Sequence, residues 1–101
     1  MYIARFSYDF MPIDREAAID FIRREMEAAQ AAGLTARLLV PLTRSAGGPA
    51  LQFEVELKRL DDLDSFRQSG VGSRDETGDW MRAFSAILTA PPTTEVFRVG
   101  A

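Results

Sequence analysis

Between Leu51 and Lys58 the chain alternates without a fault: Leu51, Phe53, Val55 and Leu57 are apolar, and Gln52, Glu54, Glu56 and Lys58 between them are polar. A period of two places successive side chains on opposite faces, so this stretch is a strand with one side on a core. Ser45-Ala46-Gly47-Gly48-Pro49 precedes it and breaks the backbone. Upstream, Leu34 to Thr43 reads as a partner strand, with Ala36, Leu38, Val40 and Leu42 on one face. Arg37 to Leu60 is therefore a hairpin. Pro41 has no N–H to donate to a ladder, which assigns the first arm to an edge.

Around this hairpin the remaining elements fall into order. Tyr2 to Phe10 alternates as well, with Tyr2, Ala4, Phe6, Tyr8 and Phe10 as an aromatic inner face. Met11-Pro12 closes that strand. Asp14 then stands as N-cap of a helix from Arg15 to Ala32, with Ala18, Ile19, Ile22, Met26 and Ala29 as its apolar stripe. Gly33 is placed for the left-handed turn that ends such a helix. Beyond Leu60, a short helix carries Leu63 and Phe66, and Ser69 to Gly72 reads as a loop. Ser73-Arg74-Asp75-Glu76 has the form of a capping box. The helix it opens has Trp80, Phe84, Ile87 and Leu88 on its inner stripe and stops at Pro91-Pro92. Thr94 to Val99 is the last strand, with Val96 and Arg98 assigned to the outer face of the sheet and Phe97 and Val99 to the other.

The order β-α-β-β-α-β in 101 residues predicts a single α+β domain over 1–101. It is the ferredoxin-like βαββαβ two-layer sandwich, a four-stranded antiparallel sheet with strands one and three central and helices on one face. The inner face is expected to bring Tyr8, Phe53, Trp80 and Phe84 together. Core packing with the polar tips satisfied accounts for Tyr8 and Trp80, and an aromatic pocket for a small planar ligand is the functional alternative. The outer face gathers Arg5, Arg37, Glu54, Glu56 and Arg98. Glu54 and Glu56 lie about 7 Å apart along the strand, which would suit acid–base work, but bare alternation assigns them to structure.

Composition narrows the function classes. A net charge of -3 with scattered basic residues argues against nucleic acid. No apolar run approaches a membrane span, and Arg5 and Asp9 fall where the apolar core of a secretory signal would lie, so a cytoplasmic location is expected. Cysteine and histidine are both absent, which removes thiolate chemistry, cysteine metal sites and the commonest general base. No cofactor or metal is expected. Gly70-Val71-Gly72 lacks the third glycine of a dinucleotide fingerprint, and Asp61, Asp62 and Asp64 lack the calcium-loop spacing, so helix capping accounts for them better. The polar span from Ser65 to Gly78 is expected to pass over one end of the helix–sheet layer as a movable cover.

The segment D-W-M-R-A-F-S-A-I-L-T-A-P-P-T-T-E-V-F-R-V, residues 79–99, resembles endings found in the dimeric α+β barrel superfamily, in its NIPSNAP-like and antibiotic-biosynthesis-monooxygenase-like branches. That resemblance implies two copies stacking their sheets, Arg5, Arg37, Glu54, Glu56 and Arg98 at the dimer interface, and a ligand site of Tyr8, Phe53, Trp80 and Phe84 between sheet and helices. It implies a small-molecule-binding or interaction protein, or a cofactor-independent monooxygenase or isomerase acting on a small hydrophobic aromatic compound. Haem-degrading members generally use a histidine ligand, which this chain lacks. No catalytic residue carries over position by position.

Overall fold

The computed structural model describes residues 1–44, 46–69 and 74–100. Four strands and three α-helices follow in the order β1 (Tyr2–Tyr8), α1 (Arg15–Ala31), β2 (Ala36–Leu39), β3 (Leu51–Leu57), α2 (Asp61–Ser69), α3 (Arg74–Ser85) and β4 (Thr93–Arg98). The sheet runs β2-β3-β1-β4 with every neighbour antiparallel. Strands one and three are thus central, as the two alternating stretches demand, since each needs a partner on both edges.

Register fixes the two faces. Ala4 stands opposite Val55, Phe6 opposite Phe53 and Tyr8 opposite Leu51, and this face carries the core. Phe53 and Val55 are fully buried. Burying one such side chain contributes roughly 2–3 kcal/mol. α1 closes over the face with Ala18, Ile22, Glu25 and Ala29 turned inward, spaced four, three and four residues apart. From the other helices come Phe66, Trp80 and Phe84, all buried in the same cluster. Gly33 ends α1 at φ 81°, a conformation that costs other residues more.

Several expected boundaries move. β1 stops at Tyr8, and Phe10 reaches Leu88 only through an isolated bridge. The second strand is four residues long, Ala36–Leu39, where Leu34 to Thr43 is expected. Val40 lies outside the sheet and is exposed, because a strand entering Pro41 on a sheet edge has no N–H with which to continue its ladder. Asp14 does stand just before α1, but it ends a 3-10 turn from Pro12 and makes no side-chain capping bond. Capping by acids is found instead at α2, where the Arg59 N–H donates to Asp62 Oδ2 at 3.1 Å.

The expected cover is largely helix rather than loop: residues 65–69 belong to α2 and 74–78 to α3. Phe66 is buried with its ring 6.4 Å from that of Phe53, so this part of the span is packed into the core. Ser73 of the capping box, and Gly70, Val71 and Gly72, lie outside the described residues.

The largest correction concerns β4. Val96 stands opposite Ala4 and Arg98 opposite Tyr2, which puts both on the helix-side face, while Glu95 and Phe97 share the outer face with Arg5 and Ile3. Arg98 is therefore not on the face that carries Arg5, Arg37, Glu54 and Glu56. The sequence hides this phase because Val96 and Phe97 are adjacent and both apolar. All six residues of β4 are exposed.

Candidate functional site

Two constellations stand out, one on each side of the sheet. Between sheet and helices, the Phe84 ring is the hub. Its centroid lies 4.8 Å from Tyr8, 5.0 Å from Phe21 in a near-parallel stack of 8°, and 5.6 Å from Trp80 in an edge contact. Offset and edge geometries of this kind place the positive ring edge against a negative face. The Trp80 indole N–H donates to the Phe21 carbonyl at 3.2 Å, which satisfies its polar tip. Of the expected ligand residues, Tyr8 and Trp80 thus each contact Phe84. Phe53 is buried beside them but pairs with Phe6, 5.8 Å away, and with Phe66.

Glu25 completes this constellation. It is 8 % exposed, and its Oε2 accepts a hydrogen bond from the Tyr8 hydroxyl at 3.0 Å. Burial raises its carboxyl to about pKa 7, against the smaller lowering effect of the Tyr8 bond. Burial, the Glu25 charge and the same hydrogen bond all push the Tyr8 hydroxyl well above its usual value, so it remains a donor. A carboxyl that exchanges its proton near neutrality, inside an aromatic wall, can hold a proton or a counter-charge. The sequence does carry a signal for it: 18, 22, 25 and 29 make an unbroken helical stripe, and Glu25 is the one polar member.

On the outer face, Glu54 is 3 % exposed because two arginines cover it. Arg5 Nε donates to Oε2 at 2.6 Å, and Arg37 donates to Oε1 through Nε at 2.9 Å and Nη2 at 2.8 Å. Burial alone would raise this carboxyl, but the hydrogen bonds and charges of Arg5 and Arg37 outweigh it and hold the group below its usual value. Arg37 also reaches Glu56 at 3.9 Å. The Arg5 guanidinium lies 4.9 Å from the centroid of Phe97, a cation–π contact made possible by the phase of β4. The four charged residues are brought together within one chain, and Phe97 takes the neighbouring place expected of Arg98.

A cleft of about 150 Å³ opens between the end of β2 and the start of α1, lined by Phe10, Arg15, Val40 and Arg44 among others. Arg44 is already engaged, donating to Asp9 Oδ1 at 2.7 Å and to the Gly48 carbonyl at 2.7 Å. Among the described residues, no group of three or more acidic side chains could hold a metal ion.

No protein-family model matches the chain, and no curated protein does. Solved structures do. An antibiotic biosynthesis monooxygenase superposes with a TM-score of 0.74 at 13 % identity, covering 100 % of both chains. A NIPSNAP domain protein from Burkholderia xenovorans gives 0.74 at 8 % identity over 100 % of this chain and 96 % of that one. Rv0793 from Mycobacterium tuberculosis gives 0.71 at 17 % identity over 100 % and 97 %. The resemblance stated from residues 79–99 is borne out as a fold: this is the ferredoxin-like architecture that antibiotic-biosynthesis-monooxygenase and NIPSNAP proteins share. Identities this low carry the architecture and not the activity.

Proposed function

We propose that the chain is a small-molecule-binding protein that works as a homodimer, with a small hydrophobic ligand held in the helix–sheet layer by Tyr8, Phe53, Trp80 and Phe84. One observation carries the reading: the Tyr8–Glu25 pair is set inside an aromatic layer where the fold has no use for it. Apolar side chains of similar volume would hold two layers together at least as well as a buried carboxyl. Retaining one there fits a site that must recognise something polar on an otherwise apolar ligand.

The dimer is supported by the outer face. Helices cover only the other side of the sheet, and here Ile3, Leu39 and Phe97 surround the neutralised group of Arg5, Arg37, Glu54 and Glu56. A second copy stacked on this face would bury apolar area without stranding a charge. Sedimentation tests the assembly, and a monomer at micromolar concentration sinks it. The ligand site is tested by a panel of small hydrophobic aromatic compounds, read as thermal shifts on the wild type and on Trp80→Ala. Equal shifts in both proteins, with the variant folded, remove Trp80 from the site.

A second reading, a cofactor-independent monooxygenase or isomerase acting on a small aromatic compound, is favoured by the position of the Glu25 carboxyl near neutrality. Its test is turnover of the same panel, followed as oxygen uptake or isomer formation. Activity that disappears in Glu25→Gln while binding persists supports it, and no turnover by the wild type ends it.

A further inference from the structure

We propose that the cleft between the end of β2 and the start of α1 is a second ligand site, which takes a small carboxylate with a single-ring apolar body and holds its anion with Arg15 and Arg44. None of Tyr8, Phe53, Trp80 and Phe84 lines this cleft, so it stands apart from the helix–sheet layer.

Four parts of the chain meet here. Phe10 comes from the turn after β1, Arg15 opens α1, Val40 and Pro41 follow β2, and Arg44 and Ala50 flank the turn before β3. β2 ends at Leu39 because Pro41 has no N–H with which to continue the ladder, and the arm that leaves the sheet there becomes one wall. Of the seven lining residues five are apolar, and the two that carry charge are both arginines. No acid shares the lining, although Asp14 and Glu16 flank Arg15 in the chain.

Arg44 is fixed before any ligand arrives. Its Nε donates to the Gly48 carbonyl and its Nη2 to Asp9 Oδ1, both at 2.7 Å, and the Ala50 N–H holds that same Oδ1 at 3.1 Å. A donor positioned in advance lowers the ordering cost of binding. These bonds engage two N–H groups of a guanidinium that carries five, so others can meet a carboxylate. One acid, Asp9, set against two arginines leaves a single positive charge, which a monoanion balances. Planar guanidinium forks match a carboxylate in geometry.

The walls select the rest of the ligand. Arg15 is exposed and Arg44 is half in solvent, so their attraction is screened and the apolar lining must add to it. A bare inorganic anion would leave that lining wet. At about 150 Å³ the cleft matches a cavity that takes benzene, so one ring fits and a nucleotide does not.

Benzoate and benzamide, alike in shape and different in charge, test the anion, and inorganic phosphate tests the ring. Each is titrated into the wild type, Arg15→Gln and Arg15→Lys and followed by backbone amide NMR. Benzoate should bind the wild type at least about tenfold more tightly than benzamide or phosphate at low salt, and its lead over benzamide should narrow as salt is raised. The shifts should gather around Phe10, Arg15, Val40, Arg44 and Ala50. Arg15→Gln should bind benzoate about five- to tenfold more weakly with benzamide unchanged, and Arg15→Lys should recover part of that loss. Equal affinity for benzoate and benzamide, phosphate as tight as benzoate, or Arg15→Gln indistinguishable from the wild type overturns the assignment. Failure of the wild type to bind benzoate does the same. Shifts that gather instead around Trp80 and Phe84 overturn it while supporting the ligand site of the helix–sheet layer.

Discussion

The Tyr8 hydroxyl donates to Glu25 Oε2 across 3.0 Å, joining the central strand β1 to the inner face of α1 through the one buried polar contact between them among the described residues. A phenol can share that hydrogen bond with a carboxyl in either protonation state. The pair therefore stays closed while its charge changes.

From this follows a pH dependence of stability. The folded-state carboxyl of Glu25 sits at about pKa 7, above its ordinary 4.5. Between those values the folded chain keeps a proton that the unfolded chain has released, so stability falls as pH rises. The full contribution is present below the unfolded value and is lost as pH passes through 7, a change on the order of 3 kcal/mol. Urea midpoints recorded across that window should decline in the wild type and stay flat, for this group, in Glu25→Gln.

Removing the phenol should act in the same direction. Tyr8→Phe takes away the donor that favours the ionised carboxyl, so the Glu25 titration should move further up. The variant should lose about 1 kcal/mol when Glu25 is protonated and more when it is ionised, up to roughly 3 kcal/mol. Carboxyl carbon NMR on Glu25 reads the first quantity and denaturation at two pH values the second.

Glu54 responds with the opposite sign. Its folded-state carboxyl lies below the ordinary value, so its contribution is present above about pH 4.5 and is lost as acid carries the pH through the folded value. Glu54→Gln should cost about 1–2 kcal/mol at neutral pH, because Arg37 remains half in solvent and recovers hydration. In acid the difference from the wild type should shrink. Equal losses at neutral and acid pH would show that Glu54 acts through packing and not charge.

Phe97 separates assembly from folding. It is 39 % exposed on an edge strand, so Phe97→Asp should leave the thermal midpoint of the monomer within a few degrees. If the sheets stack, the same change should turn the sedimenting dimer into a monomer at micromolar concentration. A dimer unaffected by it would have to use another surface.

Truncating the hub of the aromatic cluster is the strongest single perturbation expected of the core. Phe84 is 1 % exposed and touches three rings, so Phe84→Ala should cost about 3–5 kcal/mol, measured by chemical denaturation.

The fold was legible because its central strands alternate and its helices carry clean stripes. β3 needed no more than Leu51 to Lys58 to declare a half-buried strand, and α1 ends one residue from where Gly33 places it. β4 was not legible in phase. All six of its residues are exposed, so nothing in the pattern selects which of Val96 and Phe97 is turned to the helix side, and the expected face of Arg98 is wrong with theirs. The aromatic residues of the candidate site are legible from their stripes, since large rings on inner faces must meet. Glu25 is hidden for the opposite reason: a glutamate in a charged helix reads as solvent-facing, although its spacing from Ile22 and Ala29 says otherwise.

Asp9, at the end of β1, accepts at Oδ1 both the Ala50 N–H and the Arg44 guanidinium. Besides the Arg44–Gly48 bond within it, the β2–β3 loop is therefore tethered at Arg44 and at Ala50 to a residue 35 and 41 positions away. The turn closes on a third strand, so its most regular-looking unit is not a self-sufficient one. A peptide spanning Leu34 to Leu60 should remain unstructured by circular dichroism, and the hairpin should form only once β1 is in place. The chain thus folds around its first strand, although its clearest pattern is written in its third.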